Sequence, residues 1–480
     1  MSSQNTQIEA LDKFDPRQDP EVTNRAAVKA LIPLLITFVL GTLCMQAFNL
    51  VFEQVGQDVG DPAHASLITA IPGIILGIVC FIYGSLGDFV SLKKMVMVGM
   101  AFLLTGSILG FLATFFITGN LWVVIIARSV QTAGEQVAGS VYLVVATKYL
   151  KPSLKVIFFG VFTAAFQLSN VIGILAGGWL ATLHWQFLFL IPVVTIFFIP
   201  ILMHNLPSDS GNGKKIDVPG FILFGGGAAF LTLFFSFNAW WMLIVSILLF
   251  AALAVYIHKV EEPFITPGFF RNVPWLLGCL LVFVIDFTPN WFSPMLNAIG
   301  RDVYSINSAK VSLLIVWGPV VAVIVGCCSG FIVDKIGRGA SIICAATSMA
   351  IGMLMVAFLA QKNTIFMAIA PIFFNGGQAF LYSPLVDTVL GTLHKDESGR
   401  GVGLNDLIMN TTGSIGISVF GSLMANPALS KGSLIGKTGA GATYSNLALI
   451  SVGTLIVGVV LVLILRHKLY GSRTDLQNER

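Results

Sequence analysis

The chain has 480 residues, 56% of them hydrophobic and only 10% charged, with a formal net charge of +4 and a mean hydropathy of +0.88. Soluble globular domains carry about 25% charged residues, so the composition excludes that class. The small basic excess gives no signal for nucleic acid, because the sidedness of a membrane protein accounts for it.

In chain order, residues 1–26 are polar and mixed in charge. No short apolar run with a small-residue cleavage site precedes the first span, and the segment reads as a cytoplasmic tail. Apolar runs then recur, each near the roughly 20 residues that carry a helix across a ~30 Å hydrocarbon core. They fall at 27–50, 66–87, 95–117, 120–147, 156–181, 186–204, 218–237, 239–257, 274–297, 308–333, 340–360, 364–392, 402–425 and 445–466. The expected fold is therefore all-α and integral to the membrane, with 14 transmembrane helices.

An even number of spans puts both termini on one side, and charge says which side. With the termini inside, the cytoplasmic segments hold 21 of the 27 Lys and Arg. The opposite side holds five, Arg301, Lys310, Lys362, Lys431 and Lys437, and Arg128 lies within a span. Cytoplasmic loops are the ones enriched in Lys and Arg, so both termini are expected in the cytoplasm.

Two loops echo one another. GSLGDFVSLKK at 84–94 follows the second span and GFIVDKIGR at 330–338 follows the tenth. Each reads Gly, then Asp, then basic residues, and such internal repeats are how many secondary transporters are built. The expected organisation is a six-helix half at 27–204, two inserted helices with their loops at 205–273, a second six-helix half at 274–466, and a cytoplasmic tail at 467–480. Asp88, Lys93 and Lys94 in the first loop, and Asp334 and Arg338 in the second, are expected to cap or bridge helices as gating elements.

Charges inside spans are costly in lipid and mark functional sites. In RSVQTAGEQVAG, Arg128, Gln131 and Glu135 stand at i, i+3 and i+7 on one helix face. The Cα atoms of Arg128 and Glu135 are about 10 Å apart at 1.5 Å rise per residue, so Arg128 is expected to meet another helix or a water-filled cavity. Glu135 is then free to take up and release a proton, with Arg128 as its charge partner; a static buried ion pair is the alternative. Asp286, in LVFVIDFTPNWF, is the second candidate for the proton, with Pro289 and Pro294 breaking the helix after it. Gln131, Asn290, Trp291, Asp387 and Asp406 are candidates for lining the substrate cavity. Gly173, Gly177 and Gly178 are spaced for close helix packing.

Little other chemistry is present. GSLIGKTG at 432–439 has Lys431 where a phosphate-binding loop needs Gly, and no strand precedes it. The six cysteines lie within apolar runs without disulfide or metal-ligand spacing, and no HExxH or GxSxG motif occurs.

Several motifs resemble one family. GSLGDFVSLKK is similar to the loop motif after helix 2 of the major facilitator superfamily, with Gly84, Leu86, Asp88 and Lys93/Lys94 in register and Phe89 and Ser91 departing from its Arg and Gly. RSVQTAGEQVAG resembles the helix 4 motif built on an arginine. SNVIGILAGGWL resembles the helix 5 motif of exporters, with Ile174 in place of its proline. EEPFITPGFFRN, SGRGVGLNDLIMN and TYSNLAL look closest to tetracycline and multidrug exporters of Gram-positive bacteria, within the fourteen-helix drug:proton antiporters. Cys44 stands where that family commonly has an Asp in helix 1, and Thr412 or Gly413 where it often has an acid in helix 13.

The resemblance implies a transporter, not an enzyme, that exports amphipathic drugs in exchange for protons across a bacterial plasma membrane. It implies no cofactor beyond the proton gradient, no nucleic acid and no obligate protein partner; lipid, protons and a small amphipathic substrate are the partners. Transport of a physiological amphiphile such as a bile salt or fatty acid is the alternative within the class, and a membrane enzyme or receptor-like scaffold the alternative outside it. The charge bias has a direct test. A reporter fused after residue 480 should read as cytoplasmic and one in the 426–444 loop as external; the reverse pattern would overturn the span count.

Overall fold

The structure, a computed structural model, describes residues 20–86, 90–117, 119–150, 152–206, 217–390, 393, 398–424, 426–436 and 438–470. Among them there is no strand, as hydrocarbon requires of a chain that does not close a barrel. The helices are α1 (Pro20–Asp58), α2 (Leu67–Leu86), α3 (Leu92–Leu112), α4 (Leu121–Glu135), α5 (Val137–Tyr149), α6 (Pro152–Leu183), α7 (Ile199–Asn205), α8 (Val218–Phe237), α9 (Trp240–Ile257) and α10 (Pro267–Arg271). They continue with α11 (Val273–Ile285), α12 (Pro289–Tyr304), α13 (Ser308–Ile315), α14 (Trp317–Ile336), α15 (Arg338–Phe358), α16 (Ile365–Leu390), α17 (Ser398–Met424), α18 (Pro427–Ser430) and α19 (Ala440–Tyr470). A 3-10 segment, Trp185–Phe198, leads into α7.

Helix starts are set by side chains that accept from otherwise orphaned amides. Asn120 accepts from the Trp122 N–H at 2.8 Å, Asn272 from Trp275 at 3.1 Å and Asn307 from Lys310 at 3.1 Å. Thirteen helical segments among the described residues are long and apolar enough to cross a membrane. The fourteenth expected span, 120–147, is interrupted at Gln136 into α4 and α5, of 15 and 13 residues. Two boundaries move outward from the sequence reading. The first span was placed at 27–50 and α1 runs to Asp58; the ninth was placed at 274–297 and α12 runs to Tyr304.

Two six-helix halves and the inserted pair α8–α9 make up the molecule. We call the membrane face at which α1 begins the terminal face, and the other the distal face. The halves meet along two seams, α1 and α6 against α12 and α13, and α2 against α17. Small residues permit the close approach. A Cβ on Gly173 would lie 2.8 Å from the Leu43 carbonyl oxygen, and one on Gly177 would lie 2.7 Å from Ala47 Cα, so both press on α1. Gly178 turns instead to Ser308 and Ser312 of α13, in the other half.

Helix α8 touches both halves at the second seam. Ser236 Oγ lies 2.9 Å from Ser418 Oγ, and Ser418 Oγ donates to the Thr232 carbonyl at 2.9 Å, while Gly225 lies against Ile78 of α2. The inserted pair is tied together by Asp217. Its Oδ1 accepts from Tyr256 Oη at 2.6 Å and the Gly220 N–H at 3.0 Å, and its Oδ2 accepts from the Phe264 N–H at 2.8 Å. Phe264 then stacks on Phe221 at 4.5 Å, which docks the 261–266 connection on α2 through Phe81.

The glycine contacts make a quantitative expectation. Gly177→Leu drives a side chain into the α1 backbone and should cost about 3 kcal/mol, the upper end for overpacking. Gly160→Ala, where a Cβ meets nothing within 4 Å inside α6, should not lower stability and should raise it by up to about 1 kcal/mol. Thermal unfolding in detergent checks both; equal midpoints for the two variants would refute the packing role.

Candidate functional site

The guanidinium of Arg128 is 2% exposed and sits deep in the first half. Three elements supply its surroundings. Its Nη1 donates to Gln131 Oε1 one turn along α4 and lies 3.8 Å from Cys44 Sγ, and its Cζ stands 4.6 Å from the centre of the Phe48 ring, both on α1. A cation over an aromatic face is attracted by the ring quadrupole, more strongly where water is excluded. Gln131 Nε2 passes the network to Ser107 Oγ of α3 at 2.7 Å, and Cys44 Sγ donates to the Leu188 carbonyl at 3.3 Å. Cys44, in the place where the resemblance leads one to look for an Asp, is thus a neighbour of the arginine without being its counter-charge.

Glu135 is also 2% exposed, and its side chain lies over Gly41 of α1, where a Cβ would approach Glu135 Cγ to 2.6 Å. Its Oε2 has no hydrogen-bond partner among the described residues. Arg128 influences it electrostatically, yet the two form no ion pair. The carboxylate occupies the last position of α4, immediately before the interruption at Gln136 and about halfway along 121–149.

Asp286 occupies a comparable place in the second half. Helix α11 ends at Ile285, α12 begins at Pro289, and Asp286 caps the end of α11 with its N–H on the Val282 carbonyl at 2.9 Å. The side chain is 8% exposed and its Oδ2 has no partner among the described residues. Asn290, one turn on, packs against Gly413 of α17. Trp291 is fully buried and stacks on Phe420 with centroids 5.6 Å apart, a packing position rather than an open cavity wall.

The remaining candidates separate. Asp406, half-buried on α17, lies within electrostatic range of Cys80 on α2, which also feels Glu135. Tyr382 of α16 lies within range of Asp406, Cys80 and Asp286. Asp387 is elsewhere: it pairs with Arg338 Nε near the terminal face, so this cavity candidate and that gating candidate join α16 to α15. Lys93 and Lys94 begin α3, half-buried and exposed respectively. Asp88 lies outside the described residues, and so does the side chain of Asp334.

Two features went unread in the sequence. Tyr382 stands in YSPLVD, where only the acid drew notice. The other is an ion pair between Glu53 and Arg301, 3.1 Å apart, joining the halves near the distal face. Spans that end at residues 50 and 297 put both residues in loops.

The chain compares with known proteins as follows. Residues 34–421 match the family model described as Major Facilitator Superfamily. Multidrug resistance protein 3 of Bacillus subtilis (strain 168) is 24% identical over 365 residues, covering 72% of this chain and 69% of that protein. The multidrug efflux pump SdrM of Staphylococcus aureus (strain N315) is 27% identical over 267 residues, covering 54% of this chain and 58% of that one. Among solved structures, a peptide transporter POT in complex with sulfate superposes with a TM-score of 0.67 at 13% identity, over 94% of this chain and 99% of that one. A D-xylose-proton symporter gives 0.63 at 12% identity, over 89% and 97%.

The Arg128 network makes its own prediction. Gln131→Leu removes an acceptor from a buried cation and a partner from Ser107, and should cost about 1.5–3 kcal/mol, the range for a hydrogen bond to a charged group. Gln131→Glu keeps an acceptor and should cost less. Melting of the purified protein decides between them; a Leu variant as stable as wild type would show that Phe48 and Cys44 suffice.

Proposed function

Because the chain belongs to the Major Facilitator Superfamily, a multi-pass membrane transporter rather than an enzyme, we propose that it exports amphipathic drugs, tetracycline-like or multidrug, in exchange for protons. The setting is a bacterial plasma membrane with both termini in the cytoplasm, in keeping with the charge bias of the loops. The multidrug relatives support the substrate class. The observation that carries the reading is the buried, unpartnered carboxylate oxygen of Glu135 at the interruption of α4 and α5, beside a cation already held by other groups.

In this reading Glu135 carries the proton and Arg128 tunes it. Taking up a proton removes a charge from the middle of the bilayer and lowers the cost of closing protein around it. That difference biases a two-state rocking of the halves by a few kcal/mol, which is what coupling requires. Substrate release favours proton uptake from outside, and proton loss to the cytoplasm resets the cycle. Interruptions of transmembrane helices are tolerated where backbone lines a cavity, which suits Glu135 and Asp286 alike. Asp286 is the competing site.

Glu135→Gln fixes the neutral form. It should reduce pH-driven uphill transport in proteoliposomes to background while leaving downhill substrate exchange within about twofold of wild type, a change under 0.5 kcal/mol. Asp286→Asn is measured beside it. If Glu135→Gln keeps pH-driven accumulation and Asp286→Asn loses it, the proton belongs to Asp286.

A further inference from the structure

Between described residues, three hydrogen bonds join the two six-helix halves, and all lie toward the distal face. Asn297 Nδ2 donates to the Leu50 carbonyl at 3.1 Å, Ser308 Oγ donates to Gln54 Oε1 at 3.1 Å, and Arg301 Nη2 donates to Glu53 Oε2 at 3.1 Å. Only the last joins two charged groups. Among the described residues the hydrogen bonds between the halves are thus gathered distally, and they include one ion pair. The Glu53 side chain is 5% exposed, so its charge is met by protein and not by water.

Arg301 has a second partner, in its own half. Its Nε donates to Asp302 Oδ1 at 2.6 Å and its Nη2 to Asp302 Oδ2 at 3.0 Å. Asp302 is in turn held by Tyr444 Oη of α19, which donates to Oδ2 at 2.5 Å. One cation therefore stands between two carboxylates, one from each half. Glu53 Oε1 and Arg301 Nη1 have no partner among the described residues, so neither side of the cross-half pair is saturated.

We propose that Glu53 and Arg301 form the distal latch of the transport cycle, with Asp302 as the keeper that retains Arg301 when the latch opens. Parting the halves breaks the Glu53–Arg301 contact. Arg301 then stays paired within its own half, and Glu53, at the end of α1, is hydrated by the water that enters. No charge is left buried and alone, which is the condition that makes removal of one member of a buried pair so costly. The exchange of one carboxylate for water is what a reversible latch needs. It requires only the halves of the superfamily fold and stands whatever the substrate or coupling ion.

The two carboxylates have opposite effects. Asp302 holds Arg301 in both states but is its sole charged partner in the open one, so Asp302 favours opening and Glu53 favours closing. Spin labels at Gly119 and Lys362, exposed distal-loop positions in opposite halves, report the opening in a background with the native cysteines replaced by Ser. Glu53→Gln should raise the population with the longer distance about tenfold. Asp302→Asn, which leaves Tyr444 an acceptor, should lower it below the wild-type level. Folding of each variant is checked by its elution and helical circular dichroism. An unchanged distance distribution in Glu53→Gln overturns the proposal. A shift of both variants in the same direction overturns it too, because loosened packing would act alike at both sites.

Discussion

A guanidinium in hydrocarbon has to be partnered, and much of the first half is arranged around that requirement. Arg128 draws on Gln131 of its own helix, Cys44 and Phe48 of α1, and through Gln131 on Ser107 of α3. Three helices are thus fixed by one buried charge. The glycines next to this network are a consequence. Gly134 and Gly106 let α3 and α4 approach until a Cβ on either would strike backbone, and Gly41 leaves room for the Glu135 side chain. Arg128 is held by neutral groups and a ring, with its Nε unpartnered among the described residues, and it forms no ion pair with Glu135.

The two seams between the halves are built from different materials. The α2–α17 seam is a contact of small residues, with Gly73 against Ser414 and Gly77 against Asn410 and Leu407. Between α6 and α13 the approach is supplied by Gly178, and the hydrogen bonds between the halves cluster with it toward the distal end. Small-residue contacts are short-ranged and indifferent to charge, so they serve as bearing surfaces. Polar contacts are directional and can be exchanged for water at the membrane face, so they hold one state. The inserted helices follow the same division. Helix α8 is hydrogen-bonded to α17 through Ser236, Ser418 and Thr232 but meets α2 through Gly225 and isoleucines.

Much of this was legible in the sequence, and the limits have physical causes. Hydropathy located the helices because lipid demands long apolar runs, and the glycines of 173–178 announced a close contact because nothing else permits one. Sequence could not say that Gly178 faces a different partner from Gly173 and Gly177, since that depends on how the halves come together. Glu53 and Arg301 were hidden for a related reason. A charged residue lowers the hydropathy of its window and pushes the apparent end of a span inward, so charges that are buried near a membrane face look like loop residues. Asp387 looked like a cavity residue because it lies in an apolar run, yet its ion pair with Arg338 uses a register between α15 and α16 that spacing along one chain does not contain.

The placement of Glu135 and Asp286 follows from a further constraint. A continuous transmembrane helix satisfies all its backbone groups internally and presents only side chains to a cavity. An interrupted one frees amides and carbonyls that need water or polar partners, which confines interruptions to the protein interior. Each half has an interruption near mid-span, at Gln136 and at 286–288, and each puts a carboxylate beside it. In the proposed reading the acid takes up its proton at the helix break, where the freed backbone groups also call for polar surroundings. The acids and the helix breaks coincide because both require the one region of the bilayer that is not oil.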